Sequence, residues 1–507
     1  MNVVEIVSAA RKASVPAIAI STADQAATAE RIKTHALPED TPCVRWDCVR
    51  GFWFTEEADR LAAAGVAGQT LDPHDPALAL GAARALIAGA ALIVYNAHRF
   101  MESVSFVQAI SNLRDAYKAD YRLLILLGAS FALPAELVQD VLVFDEPLPV
   151  DSIYVGIAEE IIESANQGRE EAGKPAIPAM TKVESGLVSA ALRGMTPFAA
   201  EQALAMSLTP AGFDIAELWA RKKTAVEASS GLEFEFDAEV TTDSVIGLDA
   251  IVACGTRMFN GPCRPDAVLF IDEIEKAVGG GDDTSGVSQG QRGTILTWTQ
   301  DRRHPGFLVI GPPGTGKTML ARALGATARV PTVTLDIRGT QGSLVGESER
   351  NLRNALRVLD GIARPGRLLM VATCNKLASL PPELRRRFSS GTWFVDAPSV
   401  EAQKKMWTLY TSLPKYGGHD FGPAPSDTDL TGSDIANIVQ AAWAQQISLK
   451  EAALIATVPV LRSNPGEVNA LREAANGVLL SAHIAGVYRK DQPVQATKSE
   501  TRRKVVA

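Results

Sequence analysis

The run Gly311-Pro312-Pro313-Gly314-Thr315-Gly316-Lys317-Thr318 has the residue types and spacing to hold a chain of phosphates. Glycines let backbone N–H groups turn inward around phosphate oxygens, and the start of a following helix adds a favourable dipole. Lys317 would reach the β- and γ-phosphates, and the Thr318 hydroxyl would ligate Mg2+. The four apolar residues Phe307 to Ile310 read as a buried strand, and Met319 to Ala328 read as the helix that follows. The glycines therefore sit in the strand–loop–helix setting that a phosphate loop requires, and a nucleotide site is predicted over residues 311–319.

Further candidates stand at the ends of other apolar runs. Val268-Leu269-Phe270-Ile271 is followed by Asp272 and Glu273, an acid pair suited to Mg2+ binding and water activation respectively. Taken alone, the pair could equally open an acidic helix, because Ile274-Glu275-Lys276 continues in helical fashion. Leu368 to Thr373 reads as a buried strand leading to Cys374-Asn375, where Asn375 would orient an attacking water or simply form a turn. The run Arg385-Arg386-Arg387 offers charge for a transferring phosphoryl group, although three arginines in a row more often lie on a solvated face. A glycine-bounded loop, 342–349, precedes a helical pattern over 350–363. Thr431-Gly432-Ser433-Asp434 reads as a helix start.

These residues need a scaffold, and the chain supplies one. Residues 1–150 alternate short apolar runs (17–21, 43–46, 91–95, 123–127, 141–144) with helical patterns, which implies a parallel sheet covered on both faces. No phosphate loop follows the first run, where Ser21-Thr22-Ala23-Asp24 stands. The run at 91–95 ends in Asn96-Ala97-His98 rather than acids. Residues 151–230 read as helical, 231–400 as a second α/β core, 401–490 as mostly helical, and 491–507 as a polar basic tail. Within the second core, 231–248 is expected to be an extended linker. A chain of 507 residues with 46% hydrophobic and 21% charged residues has the composition of a soluble multidomain protein. Its net charge of −8 makes nucleic acid an unlikely partner. Five scattered cysteines fit reduced thiols. No membrane span and no leader is expected, and the cytoplasm is the expected compartment.

Taken together, the motifs resemble the AAA+ ATPases, specifically their classical clade. GPPGTGKT is similar to the Walker A motif, VLFIDE to Walker B, VATCN to the sensor 1 strand and PPELRRRF to the arginine-finger region. LVGESERNLRNAL resembles the pore-loop segment, and TGSDIANIVQAA the start of the α-helical lid. The whole chain resembles an uncharacterised plastid and cyanobacterial AAA group whose N-terminal module is a degenerate AAA domain. The resemblance implies an α/β P-loop fold binding ATP and Mg2+, with Ile246 and Gly247 against the adenine and Gly432 and Ser433 at the nucleotide. It further implies Arg386 or Arg387 acting on a neighbouring subunit in a homo-hexameric ring that remodels a protein client. Leu344-Val345 stands where an aromatic pore residue is usual, and the arginine run lacks its usual intervening glycine.

The motifs are also out of family order. The segment from about Pro265 to His304, which carries Asp272 and Glu273, precedes the phosphate loop instead of following 350–363. Returning it to the Arg364-Pro365 junction would restore the order at both seams. Catalysis depends on position in space rather than in sequence, so Asp272 and Glu273 are expected to meet Lys317 and Thr318 in the fold. The alternative is a nucleotide-regulated scaffold with little or no hydrolysis.

Overall fold

Short apolar runs, buried on both faces, form the central strands of two separate, mostly parallel sheets. The structure, a computed structural model, describes residues 2–66, 72–147, 149–236, 240–275, 286–340, 347–375, 380, 382–426, 429–455 and 458–490. The chain divides into two compact units, Met1–Thr181 with Met195–Gly212, and Lys182–Gly194 with Phe213–Ala507. The helical region expected over 151–230 is shared between them. Asp151–Glu171 packs on Pro197–Ser207 in the first unit, and Lys182–Leu192 packs on Ile215–Glu227 in the second.

The first unit holds β1 (Ala17–Ser21), β2 (Cys43–Asp47), β3 (Gly51–Trp53), β4 (Ala91–Val94), β5 (Leu123–Gly128) and β6 (Leu142–Asp145). Their order across the sheet is β3-β2-β4-β5-β1-β6, with only β3 antiparallel. Where a phosphate loop would follow β1, helix α1 (Gln25–Arg31) begins almost at once, capped by Asp24. Its first residue closes on the end of β4. The Gln25 amide donates to Asn96 Oδ1 at 2.9 Å and accepts from the Asn96 N–H at 2.8 Å. His98 packs over Gly128 and against Phe131.

The second unit holds β7 (Leu232–Glu235), β8 (Ala267–Ile271), β9 (Gly306–Ile310), β10 (Thr332–Leu335), β11 (Leu368–Cys374), β12 (Thr392–Phe394) and β13 (Leu480–Ser481). The order across the sheet is β13-β12-β9-β11-β8-β10-β7. Two departures from expectation appear here. Part of the expected linker is β7, an antiparallel edge strand on β10, because Leu232 and Phe234 alternate inward. The mostly helical stretch 401–490 also sends β13 back into the sheet beside β12.

The parallel strands of the two units match place for place. The first reads β2-β4-β5-β1-β6 and the second β10-β8-β11-β9-β12, and only the second has its β4 counterpart, β8, early in the chain. As a result, the connection from β8 through α2 (Gly286–Arg302) to β9 steps past β11. Helix α3 (Lys317–Ala328) then leads to β10, and α4 (Glu347–Ile362) steps past β8 to reach β11. The two crossover helices pack together, with Trp298 Nε1 donating to Asp360 at 3.0 Å and Arg302 paired to the same carboxylate at 2.7 Å. The two seams of the displaced segment lie side by side. The Asp266 N–H donates to Arg367 O at 2.7 Å, Arg364 Nε donates to Asp266 at 2.8 Å, and Arg367 reaches Arg264 O at 3.4 Å.

Beyond β12 lie α5 (Val400–Thr411) and α6 (Gly432–Gln445). They enclose a small core of their own around Trp407, Leu430, Ile435, Ile438 and Val439. Among the described residues no helix is long and apolar enough to cross a membrane.

Candidate functional site

The C-terminal ends of β8, β9 and β11 are neighbours in the sheet, so the residues that follow them converge. Ligands of open α/β sheets bind in such crevices. A cavity of about 510 Å³ lies there, lined by Asp272, Glu273, Asn375 and the loop from Pro313 to Met319. Ile246, Gly432 and Ser433 line it as well. The acid pair and the phosphate loop therefore share one cavity despite the altered chain order.

Lys317 opens α3 and is 8% exposed. Its Nζ donates to Gly311 O at 2.8 Å and Pro312 O at 2.7 Å. Burial pushes the lysine down to about 8, against the pull of Asp272, Glu275, Cys374 and Glu273. Gly314 has a φ of +77°, and a Cβ there would lie 2.2 Å from Ser433 Oγ. The loop is thus seated against the start of α6, and the Ser433 N–H donates to Gly314 O at 3.2 Å.

The acid pair is held from β11. Thr373 Oγ1 donates to Asp272 Oδ1 and accepts the Glu273 N–H at 2.9 Å. Glu273 is left-handed, with φ +46°, a conformation that costs a non-glycine residue about 1–3 kcal/mol and persists only where its surroundings enforce it. The turn brings its carboxylate to Asn375, whose Nδ2 donates to Glu273 Oε1 at 3.0 Å. Glu275 anchors the same asparagine by accepting its backbone N–H at 2.9 Å. Asn375 Oδ1 is buried with no partner among the described residues, so it remains an acceptor for a group entering the cavity.

Several expected residues stand elsewhere. Gly311 and Pro312 do not line the cavity; they are buried behind it, and their carbonyls hold Lys317. Gly247 is also behind the wall, its carbonyl turned to His483. Neither Arg386 nor Arg387 reaches the cavity; Arg386 is exposed and Arg387 donates to Gln300 of α2 at 2.9 Å. Residues 342–346 of the expected loop and the basic tail 491–507 lie outside the described residues, and the rest of that loop, 347–349, is the first turn of α4. Sequence reasoning missed Ser244, Val245, Leu248, Met406, Tyr410 and Ala436 on the cavity wall. For Ser244, Val245 and Leu248 the signal was their place beside Ile246 and Gly247, and for Met406 and Tyr410 it was only an i, i+4 spacing that reads equally as a core-facing stripe. It also missed Thr373 and Glu275.

Two family models match the chain. Residues 5–146 match "SpoVK-like AAA ATPase, N-terminal domain", and residues 307–359 match "ATPase family associated with various cellular activities (AAA)". Both matched stretches are those of AAA ATPases. The first AAA+ match covers the unit without a phosphate loop, and the second covers the loop itself and most of α4. An "Uncharacterized AAA domain-containing protein ycf46" from Trieres chinensis is 20% identical over 356 residues, covering 62% of this chain and 63% of the relative. Its counterpart from Pyropia yezoensis is 25% identical over 147 residues, 21% and 30% of the two chains. An "ATP-dependent zinc metalloprotease FtsH 1" from Sorangium cellulosum is 28% identical over 184 residues, 27% and 30%. The chain thus spans less than two thirds of the length of each of these AAA+ relatives. Its own second unit carries the α/β P-loop AAA+ fold.

Proposed function

We propose that the second unit binds Mg-ATP and hydrolyses it to ADP and phosphate. The observation that carries this reading is the meeting of Asp272, Glu273 and Asn375 with Lys317 and Thr318 around one cavity. The loop amides and Lys317 hold the phosphate chain, with the lysine exchanging its carbonyl partners for phosphate oxygens. Glu273 takes a proton from water as the water oxygen bonds to the γ-phosphorus and the bond to the bridging oxygen breaks. Asn375, fixed by two glutamates, presents Oδ1 to that water.

The donor set also suits magnesium. Thr318 and Asp272 are hard oxygen ligands facing the same cavity, and a magnesium site next to phosphates needs only one or two protein ligands. Magnesium bound there would neutralise charge on the phosphate oxygens.

Arg386, exposed on the surface, is free to serve a neighbouring subunit's site, which would make the working form a homo-hexameric ring. Such a ring would use nucleotide-driven movement of α5 and α6 on a protein client. The test is Mg-ATP turnover by the full chain across a concentration series, with its mass in solution measured alongside. Turnover that rises per subunit as rings form is the expected result. Glu273→Gln should keep ATP binding and lower turnover by roughly 100-fold or more. Tight binding without turnover at every concentration would sink the hydrolase reading.

A further inference from the structure

The base end of the cavity is walled by the segment Ser244 to Leu248, which lacks regular structure beyond the short turn Thr242–Ser244. Such a segment keeps a binding shape only if something fixes its backbone. The fixing groups come from the far end of the chain. Ala482 O accepts the N–H groups of Ala250 at 3.1 Å and Ile251 at 3.3 Å, anchoring the helix that follows the wall. His483 Nδ1 lies 2.5 Å from Gly247 O, in the middle of the wall. Gly247 has φ +84°, so its carbonyl direction is set by a conformation that few other residues adopt.

The histidine is itself held. Its Nε2 accepts the Asp396 N–H at 3.0 Å, so the ring proton sits on Nδ1 and is donated to Gly247 O. The Asp396 carboxylate accepts from Arg472 Nη2 at 2.8 Å and from the Tyr488 hydroxyl at 2.6 Å. His483 is 4% exposed, and none of its hydrogen bonds reaches the phosphate loop. The loop is held by Cys374 O, Ser433 and Lys317, and Gly311 packs on the Val395 carbonyl.

We propose that His483 is a positioning residue for the base of the bound nucleotide: it sets the base-side wall through Gly247 and makes no hydrogen bond to the phosphate loop. This rests on the nucleotide reading above. The end of β13 thereby governs affinity for the nucleoside half of the ligand, while the loop alone governs affinity for the phosphates.

The test compares ATP with inorganic tripolyphosphate, which has the phosphates but no base, by calorimetric titration of the full chain. His483→Ala should weaken ATP about tenfold, a shift typical of one lost positioning contact, and should leave tripolyphosphate affinity within about twofold. His483→Asn, whose amide N–H takes the place of Nδ1, should restore ATP binding. If the alanine variant does not fold, His483→Gln carries the test: its longer amide serves Asp396 rather than Gly247 and should also lose ATP selectively. Equal weakening of both ligands, or none of either, would overturn the positioning role alone. A parent chain that binds neither ligand would overturn the nucleotide reading and this inference with it.

Discussion

Thr373 illustrates how single residues make this site. One buried hydroxyl, 1% exposed, serves two neighbours, donating to Asp272 and accepting from the Glu273 backbone. Thr373→Val keeps the shape and removes both bonds. It is expected to cost about 1–2 kcal/mol of stability and to lower ATP turnover roughly tenfold with ATP affinity little changed. Unchanged turnover in a steady-state assay would show that Asp272 and Glu273 orient themselves without it. The chemically explicit residues (Asp272, Glu273, Lys317, Thr318, Asn375) were legible because each follows an apolar run at a strand end. Thr373 was not legible, because its partners lie 100 and 101 residues away and its role exists only once β8 and β11 are paired. His483 is still more remote, 236 residues from Gly247.

At the scale of elements, the junction between α2 and β9 carries a cost that depends on acidity. His304 is 3% exposed, packs at a tilt against Trp298 with ring centroids 5.3 Å apart, and has no hydrogen-bond partner for either ring nitrogen among the described residues. Burial, and then the charge of Arg302, pushes it down to about 4. In the unfolded chain it returns to the ordinary value near 6.5. Between these values the unfolded chain binds a proton that the folded one does not, so stability is lost as pH falls from about 6.5 towards 4. His304→Phe keeps the ring contact with Trp298 and removes the titration. It should abolish about 2–3 kcal/mol of the stability lost between pH 7 and pH 4.5, as measured by urea unfolding at both values. An identical loss in parent and variant would show that His304 finds a partner on protonation. The strands themselves were legible from their apolar runs. The edge strand β7 was not, because four residues with two facing inward are too short to distinguish from a connector.

At the scale of the molecule, the order of the motifs is separable from their arrangement. The two units place corresponding parallel strands alike, although only the second has its β8 strand displaced in the chain. The seams explain why such a change can be tolerated, since Arg264, Asp266, Arg364 and Arg367 already touch. A chain in which residues 265–304 are moved between Arg364 and Pro365 should fold to the same near-ultraviolet circular dichroism spectrum. Its Mg-ATP turnover should stay within about fivefold of the parent, because each catalytic group keeps its place. A soluble, folded rearranged chain without turnover would mean that the altered crossovers shape the site. The displacement could be read from the sequence, but the contact between its seams could not, because nothing in either stretch encodes the other.

The clasp between Gln25 and Asn96 bears on what the cell can tell this protein. The Gln25 amide and the Asn96 N–H, at the strand ends that correspond to those lining the cavity of the second unit, are spent on one another. Under the proposed function, the ratio of ATP to ADP is read at the cavity of the second unit, while the first holds this pair of strand ends together with its own side chains.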